Sequence, residues 1–132
     1  MSFSRPECVP SGPVIAIHGG AGTISRSSIN AAQEAAYHAA LRSALRLGEA
    51  VLADGGAALE AVCVAVKSLE DCPLFNAGHG AVFTEDGTHE LDAAVMDGAT
   101  RAAGAVAGVR LVRNPVLAAR AVMHDAKHVL MI

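Results

Sequence analysis

The sequence predicts an α+β domain, and three observations lead there. Two alanine-rich stretches, about 31–53 and 56–72, carry larger apolar residues at helical spacing. Several short apolar runs bounded by Gly, Pro or Asp-Gly have the length and composition of strands. Aromatics are scarce, with one Tyr, three Phe and no Trp against 13 Gly and many Ala, so the layers must pack closely through small side chains.

Taken in order, residues 1–12 are a Pro- and Ser-rich stretch predicted to be a flexible leader. "PVIAIHGG" then reads as a short buried strand running into a glycine loop. From about Ala31 to Ala53 the stripe Tyr37, Leu41, Leu45 and Leu52 marks a helix, closed where Gly55 or Gly56 can adopt a left-handed cap. A second helix, with Leu59, Val62, Val66 and Leu69 on one side, runs to Cys72, where Pro73 stops it. "AVF" and "HELDAAVMDG" flank Asp86-Gly87, a hairpin cue, and Leu91, Ala93 and Val95 alternate with Glu90, Asp92 and Ala94. "AGAVAGVRLV" is the next strand, with Gly104 and Gly108 marking close packing over it. Asn114-Pro115 opens a helix to about Ala126, Asn as cap and Pro at the first position. "HVLMI" is a final strand; an apolar strand is a poor place for a chain to stop, so further chain is expected beyond it.

The 132 residues amount to one domain's worth of chain, a whole domain or part of one. Hydrophobic residues are 52% and charged ones only 17%, against about 25% in ordinary soluble domains, so part of the surface is expected to face another chain. A net charge of -3 without clustered Lys and Arg gives no basis for nucleic-acid or acidic-membrane binding. Three cysteines, Cys8, Cys63 and Cys72, make neither a Cys-x-x-Cys pair nor an even framework, and a reducing compartment fits best. The polar start and the want of an apolar run of roughly 18 residues leave the cytoplasm as the default.

Most apparent motifs dissolve on inspection. "HGGAGTIS" lacks the Lys-Ser or Lys-Thr of a P-loop and the third glycine of a dinucleotide fingerprint. It also resembles the oxyanion loop of esterases, but no Gly-x-Ser-x-Gly elbow follows, and a plain tight turn accounts for it equally. His124 and His128 sit four apart, too few for a metal site and suited to a solvated helix end. Glu85, Asp86, Glu90, Asp92 and Asp97 lack calcium-loop spacing and belong to turns and strand edges.

The stretch "SLEDCPLFNAGHG" is different. A helix end leaves carbonyls unpaired and carries partial negative charge, and the loop after it adds carbonyls constrained by Pro73 and glycines. Oxygen ligands from backbone alone suit a monovalent cation better than calcium. A loop whose carbonyls are hydrated remains the alternative.

Five segments in order, "VIAIHGGAGTI", "LEDCPLFNAGHGAVFT", "HELDAAVMDG", "AGAVAGV" and "RNPVLAARAVM", resemble the α chain of the plant-type (type 2) L-asparaginase/isoaspartyl peptidase family, which are N-terminal-nucleophile hydrolases. The resemblance spans residues 13–132. It implies an αββα sandwich, of which residues 13–132 are the α-chain part, completed by a β chain cut from the same precursor, and a dimer of such αβ pairs. It implies hydrolysis of L-asparagine to aspartate and ammonia, and of β-aspartyl dipeptides, by a Thr that begins the β chain and uses its own amine as base. No nucleophile is expected here: Thr23, Thr84, Thr88 and Thr100 are internal, and the run 102–107 has Ala where the family has its Thr. By resemblance, the backbone carbonyls of Leu69, Glu70, Cys72, Phe75, Ala77 and His79 hold a structural Na+, and no organic cofactor is implied. Asn76 supports catalysis beside the β-chain amine, and Gly19 and Gly20 form the mobile loop near the active site. The other readings are a non-catalytic interaction fragment of the same fold, and an esterase whose serine lies elsewhere.

Overall fold

The computed structural model describes residues 12–20, 27–126 and 131. The first helix, α1 (Ala31–Ala53), forms where expected and is capped at both ends. Asn30 Oδ1 accepts the Gln33 N–H at 2.9 Å while Gln33 Oε1 accepts the Asn30 N–H at 2.9 Å, which satisfies two of the donors a helix start leaves free. At the other end Gly55, with φ 79°, donates to the Leu52 carbonyl and Gly56 to that of Val51, so Gly55 is the residue that takes the left-handed cap.

The second helix, α2 (Ala58–Glu70), packs along α1, but not on the face that its large residues mark. Ala61, Cys63, Ala65 and Leu69 are buried, whereas Val62 and Val66 are exposed. Small residues decide this. A Cβ on Gly48 of α1 would lie 3.1 Å from the Ala61 carbonyl oxygen and 3.5 Å from the Ala65 Cβ, so the helices meet closely through Gly and Ala and the valines turn outward. The helix ends at Glu70, two residues before the expected stop, because Pro73 also keeps Cys72 out of helical geometry.

Strand β1 (Leu91–Met96) pairs antiparallel with β2 (Ala103–Val109), and Leu91 and Val95 face the core as the alternation predicts. The two are joined through Asp97, whose carboxylate accepts from the Ala99 N–H and the Thr100 hydroxyl; Arg101 adopts a left-handed conformation (φ 63°) in this turn. Hence β1 has a different partner from the one expected. The Asp86-Gly87 turn does form, with the Thr84 N–H donating to the Thr88 carbonyl at 2.8 Å and Gly87 at φ 73°. Its arms make no strand ladder, because the Val82 N–H goes to the Asn76 side chain, and Phe83 stacks on His89 with ring centres 4.3 Å apart. Residues 13–20 likewise form no strand: a ladder needs a paired strand, and among the described residues these pack on α1 and Phe75 instead. Most of the expected final strand lies outside the described residues, but Met131 makes a parallel bridge with Ala105 of β2.

Gly104 marks close packing as expected, since a Cβ there would sit 2.8 Å from the Met123 Cα of α3 (Pro115–Asp125). Gly108 does not: nothing lies within 4 Å, and its role is a β-bulge. Leu91 pairs with Val109 but Ala93 with Val106, so the bulge falls opposite Asp92, whose carboxylate accepts the Gly108 N–H at 2.8 Å. Helix α3 covers the sheet around Cys63, Val95, Val106, Val116, Ala119 and Val122, while Ala44, Leu69 and Phe75 centre a second cluster with Ile17, Tyr37 and Leu41.

Pro115 opens α3, but the Asn114 side chain does not cap it. It donates instead to Asp71 Oδ1 at 3.2 Å, and the helix start is capped from α2 by Glu70 Oε1, which accepts the Val116 N–H at 2.9 Å. Asp71 also accepts from Lys67 Nζ at 2.9 Å and Arg113 Nε at 3.1 Å. Together these donors tie the end of α2 to the start of α3.

Two outcomes follow for stability. Gly104→Ala should destabilise by about 1–3 kcal/mol in urea unfolding, because its methyl meets α3 backbone that cannot step aside. Lys67, Asn114 and Arg113 hold the Asp71 carboxyl down at about 2, so its contribution is complete above its unfolded value of about 3.9 and is lost as pH falls toward 2. Asp71→Asn should therefore cost roughly 1 kcal/mol at neutral pH, allowing for solvent screening, and flatten the stability curve across that window. Parallel pH curves for the two proteins would contradict this.

Candidate functional site

The loop that leaves α2 is built by two glycines. Gly78 has φ 50°, and a Cβ there would lie 2.8 Å from the Glu70 Cβ and overlap the Glu70 carbonyl oxygen. A Cβ on Gly80 would lie 2.8 Å from the Pro73 carbonyl oxygen and overlap that of Phe75. The chain after α2 therefore folds back tightly onto its own carbonyls, which any side chain at 78 or 80 would prevent. A 3-10 turn over Gly78–Gly80 closes the fold-back, with the Gly80 N–H donating to the Ala77 carbonyl at 3.0 Å.

The six expected carbonyl donors divide into two groups. Leu69, Phe75 and Ala77 accept the N–H groups of Cys72, Ala77 and Gly80, and Leu69 is also approached by the Asp71 N–H at the end of α2. Glu70, Cys72 and His79 accept no loop N–H among the described residues. Leu69, Glu70 and Phe75 are buried, and His79 is exposed. The carbonyl oxygens of Glu70, Pro73 and Phe75 lie against the two glycines at the negative end of α2, a donor set whose chemistry fits a small monovalent cation. Among the described residues no three His, Cys, Asp or Glu side chains gather as a metal site.

Glu70 is buried, 3% exposed, and its Oε2 has no hydrogen-bond partner among the described residues. Burial pushes its carboxyl up, while the Val116 N–H and the Asn114 amide pull it down. The family resemblance gives Glu70 only a backbone role. The available signal was its position: an acidic residue in the last turn of a helix opposes the helix dipole and needs a reason to be there.

Asn76 is exposed and its Oδ1 accepts the Val82 N–H at 3.0 Å, pinning the strand-like arm to the loop. With Glu70, Ala77, Gly78, Glu90 and Asp92 it lines a polar cleft of about 220 Å³. Gly19 lines a different pocket, with His18, His38 and Leu41, and packs on the Phe75 ring, where a Cβ would lie 3.2 Å from the ring and 2.7 Å from a Leu41 methyl. Phe75 also meets Tyr37 edge to face, ring centres 5.8 Å apart. Gly20 follows with φ 90°, and the remaining residues of the glycine loop, 21–26, lie outside the described residues.

The other sequence candidates separate. Glu90 pairs with Arg110, Asp92 holds the bulge and Asp97 organises its turn, all structural places, while Glu85 and Asp86 are exposed in their turn. His124 is exposed at the end of α3, and His128 lies outside the described residues. Thr84 and Thr88 bond to each other at 2.9 Å and Thr100 to Asp97, so these threonines are internal turn residues; Thr23 lies outside the described residues.

A family model described as Asparaginase matches residues 11–132. The chain belongs to this family. It is 60% identical over 119 residues to a protein of Escherichia coli K12 named isoaspartyl peptidase, which covers 90% of this chain and 37% of the relative. A plant-type L-asparaginase of Pyrococcus furiosus is 50% identical over 119 residues, covering 89% and 37%. An isoaspartyl peptidase/L-asparaginase of Xenopus laevis is 45% identical over 119 residues, covering 90% and 37%. This asparaginase-family chain thus spans just over a third of the length of these relatives. None of its helices, among the described residues, is long and apolar enough to cross a membrane.

Replacing Asn76 with Ala should lower stability by roughly 0.5–1.5 kcal/mol in urea unfolding, the worth of one side-chain hydrogen bond. Asn76→Asp, which keeps the acceptor for Val82, should lose less, and an equal loss in both would remove the bond from the account.

Proposed function

We propose that this chain is the α part of a self-processed, threonine-dependent amidohydrolase that converts L-asparagine to aspartate and ammonia and cleaves β-aspartyl dipeptides. The observation that carries the reading is 60% identity to a protein named isoaspartyl peptidase over 90% of this chain, through the fold-back loop and both strands. In this reading residues 13–132 contribute to a single αββα sandwich completed by a β chain from the same precursor, and two such αβ pairs form the working enzyme in the cytoplasm. Val62, Val66, Val82, Phe83, Met96 and Leu111, all exposed, are the kind of surface such a companion would cover.

The chemistry divides between the chains. The Thr at the start of the β chain uses its amine to take the proton from its own hydroxyl, and the oxygen attacks the side-chain carbonyl carbon of the substrate. Ammonia or an amino acid leaves with that proton, and water then cleaves the acyl ester to release aspartate. Asn76, on the cleft wall and anchored to Val82, orients the amine. Gly19 and Gly20 border the substrate's route, positioned through Phe75. The carbonyls of Leu69, Glu70, Cys72, Phe75, Ala77 and His79 would hold one Na+, whose charge stiffens the loop carrying Asn76. No organic cofactor enters these steps.

Mass analysis under denaturing conditions, on protein purified from the whole gene, tests this directly. Two fragments are expected, the second beginning with Thr, in a preparation that releases ammonia from asparagine or an amino acid from β-aspartyl dipeptides. A single uncut chain without amide hydrolysis would favour the non-catalytic interaction fragment.

A further inference from the structure

Glu70 poses a physical problem. It is the last residue of α2, where the helix end already carries partial negative charge, and it is buried, so water cannot disperse its own charge. One oxygen accepts the Val116 N–H at the start of α3, and the Asn114 amide, whose hydrogen bond goes to Asp71, adds a partial positive charge beside the carboxyl. The other, Oε2, is buried with no partner among the described residues. Neighbouring acids have no such deficit: Asp71 is held by Lys67, Arg113 and Asn114, Glu90 by Arg110, and Asp92 by the Gly108 N–H. Lys67, the cation that acts on Glu70, is already engaged by Asp71, as is Arg113.

The fold-back loop packs against the same side chain. The absent Cβ of Gly78 would fall 2.8 Å from the Glu70 Cβ, so the fold-back loop lies directly over the root of this side chain. Glu70 shares the cleft wall with Asn76, Ala77 and Gly78, and its own carbonyl is one of the proposed ligands. We propose that the Glu70 carboxylate is the fixed countercharge of the loop's cation site, setting its affinity and its preference for a single charge. This goes beyond the carbonyl role and rests on the sodium reading above. Neutral carbonyls plus one carboxylate balance a monovalent ion, whereas a divalent ion would leave a net buried charge. The same ion would offset the negative end of α2.

The test is the melting temperature of the protein with its companion chain, titrated with sodium chloride at constant ionic strength held by tetramethylammonium chloride. Glu70→Gln keeps an acceptor for the Val116 N–H and removes the charge. The half-saturating sodium concentration should rise about tenfold or more in this variant. A purely structural role would lower the melting temperature in both salts and leave the half-saturating concentration unchanged, which would overturn the proposal. Glu70→Asp, which keeps the charge, should stay within about threefold of the parent protein. It serves if the Gln variant does not fold, and an Asp variant with no sodium response would also overturn the proposal. If the unaltered protein shows no sodium response, the cation site itself is wrong and this inference falls with it. The processing and amide-hydrolysis results would stand apart from that outcome.

Discussion

The structure turns on one hydrogen bond, from the Val116 N–H of α3 to the Glu70 carboxylate at the end of α2. A charge-assisted bond of this kind contributes about 1.5–3 kcal/mol, and it brings the negative end of one helix and the positive end of another to the same residue. Asp71 reinforces the joint from the next position, gathering Lys67, Arg113 and Asn114. Because the fold-back loop begins at Glu70 and packs over it through Gly78, the placement of the loop follows from the placement of two helices. Asn76 and the carbonyls inherit that geometry.

Small residues set the rest. Gly48 lets α1 approach Ala61 and Ala65, and Gly104 lets α3 approach the sheet. Close approach through Ala and Gly buries backbone efficiently but leaves larger side chains without a place inside. Val62 and Val66 are exposed for this reason, although their spacing with Leu69 marks a helix face.

Much of this was legible in the residues. Helix α1 follows from its stripe and its Gly55 cap, and the alternation from Leu91 to Val95 gives the buried face of β1. The loop announced itself by Pro73, Gly78 and Gly80 amid apolar residues. Failures came where a side chain chose a distant partner. Asn114 has the composition of a cap, yet Asp71 from another helix claims it. The Asp86-Gly87 turn forms, yet its arms do not pair because Asn76 takes the Val82 N–H. Gly108 resembles Gly104 in sequence, yet one serves a bulge and the other a helix contact. Local propensity cannot rank such choices, since each depends on residues brought near only by folding.

Phe75 shows how the two glycine-rich segments become one unit. Its ring lies against Gly19 and meets Tyr37 edge to face, while its carbonyl accepts the Ala77 N–H within the fold-back loop. A side chain at 19 would press on this ring and on the Leu41 methyl. The Phe75 carbonyl lies under Gly80, where even a methyl has no room. Gly19 and the loop around Asn76 therefore share a single aromatic residue as packing partner, and a protein poor in aromatics has placed one of its three phenylalanines where the two segments meet.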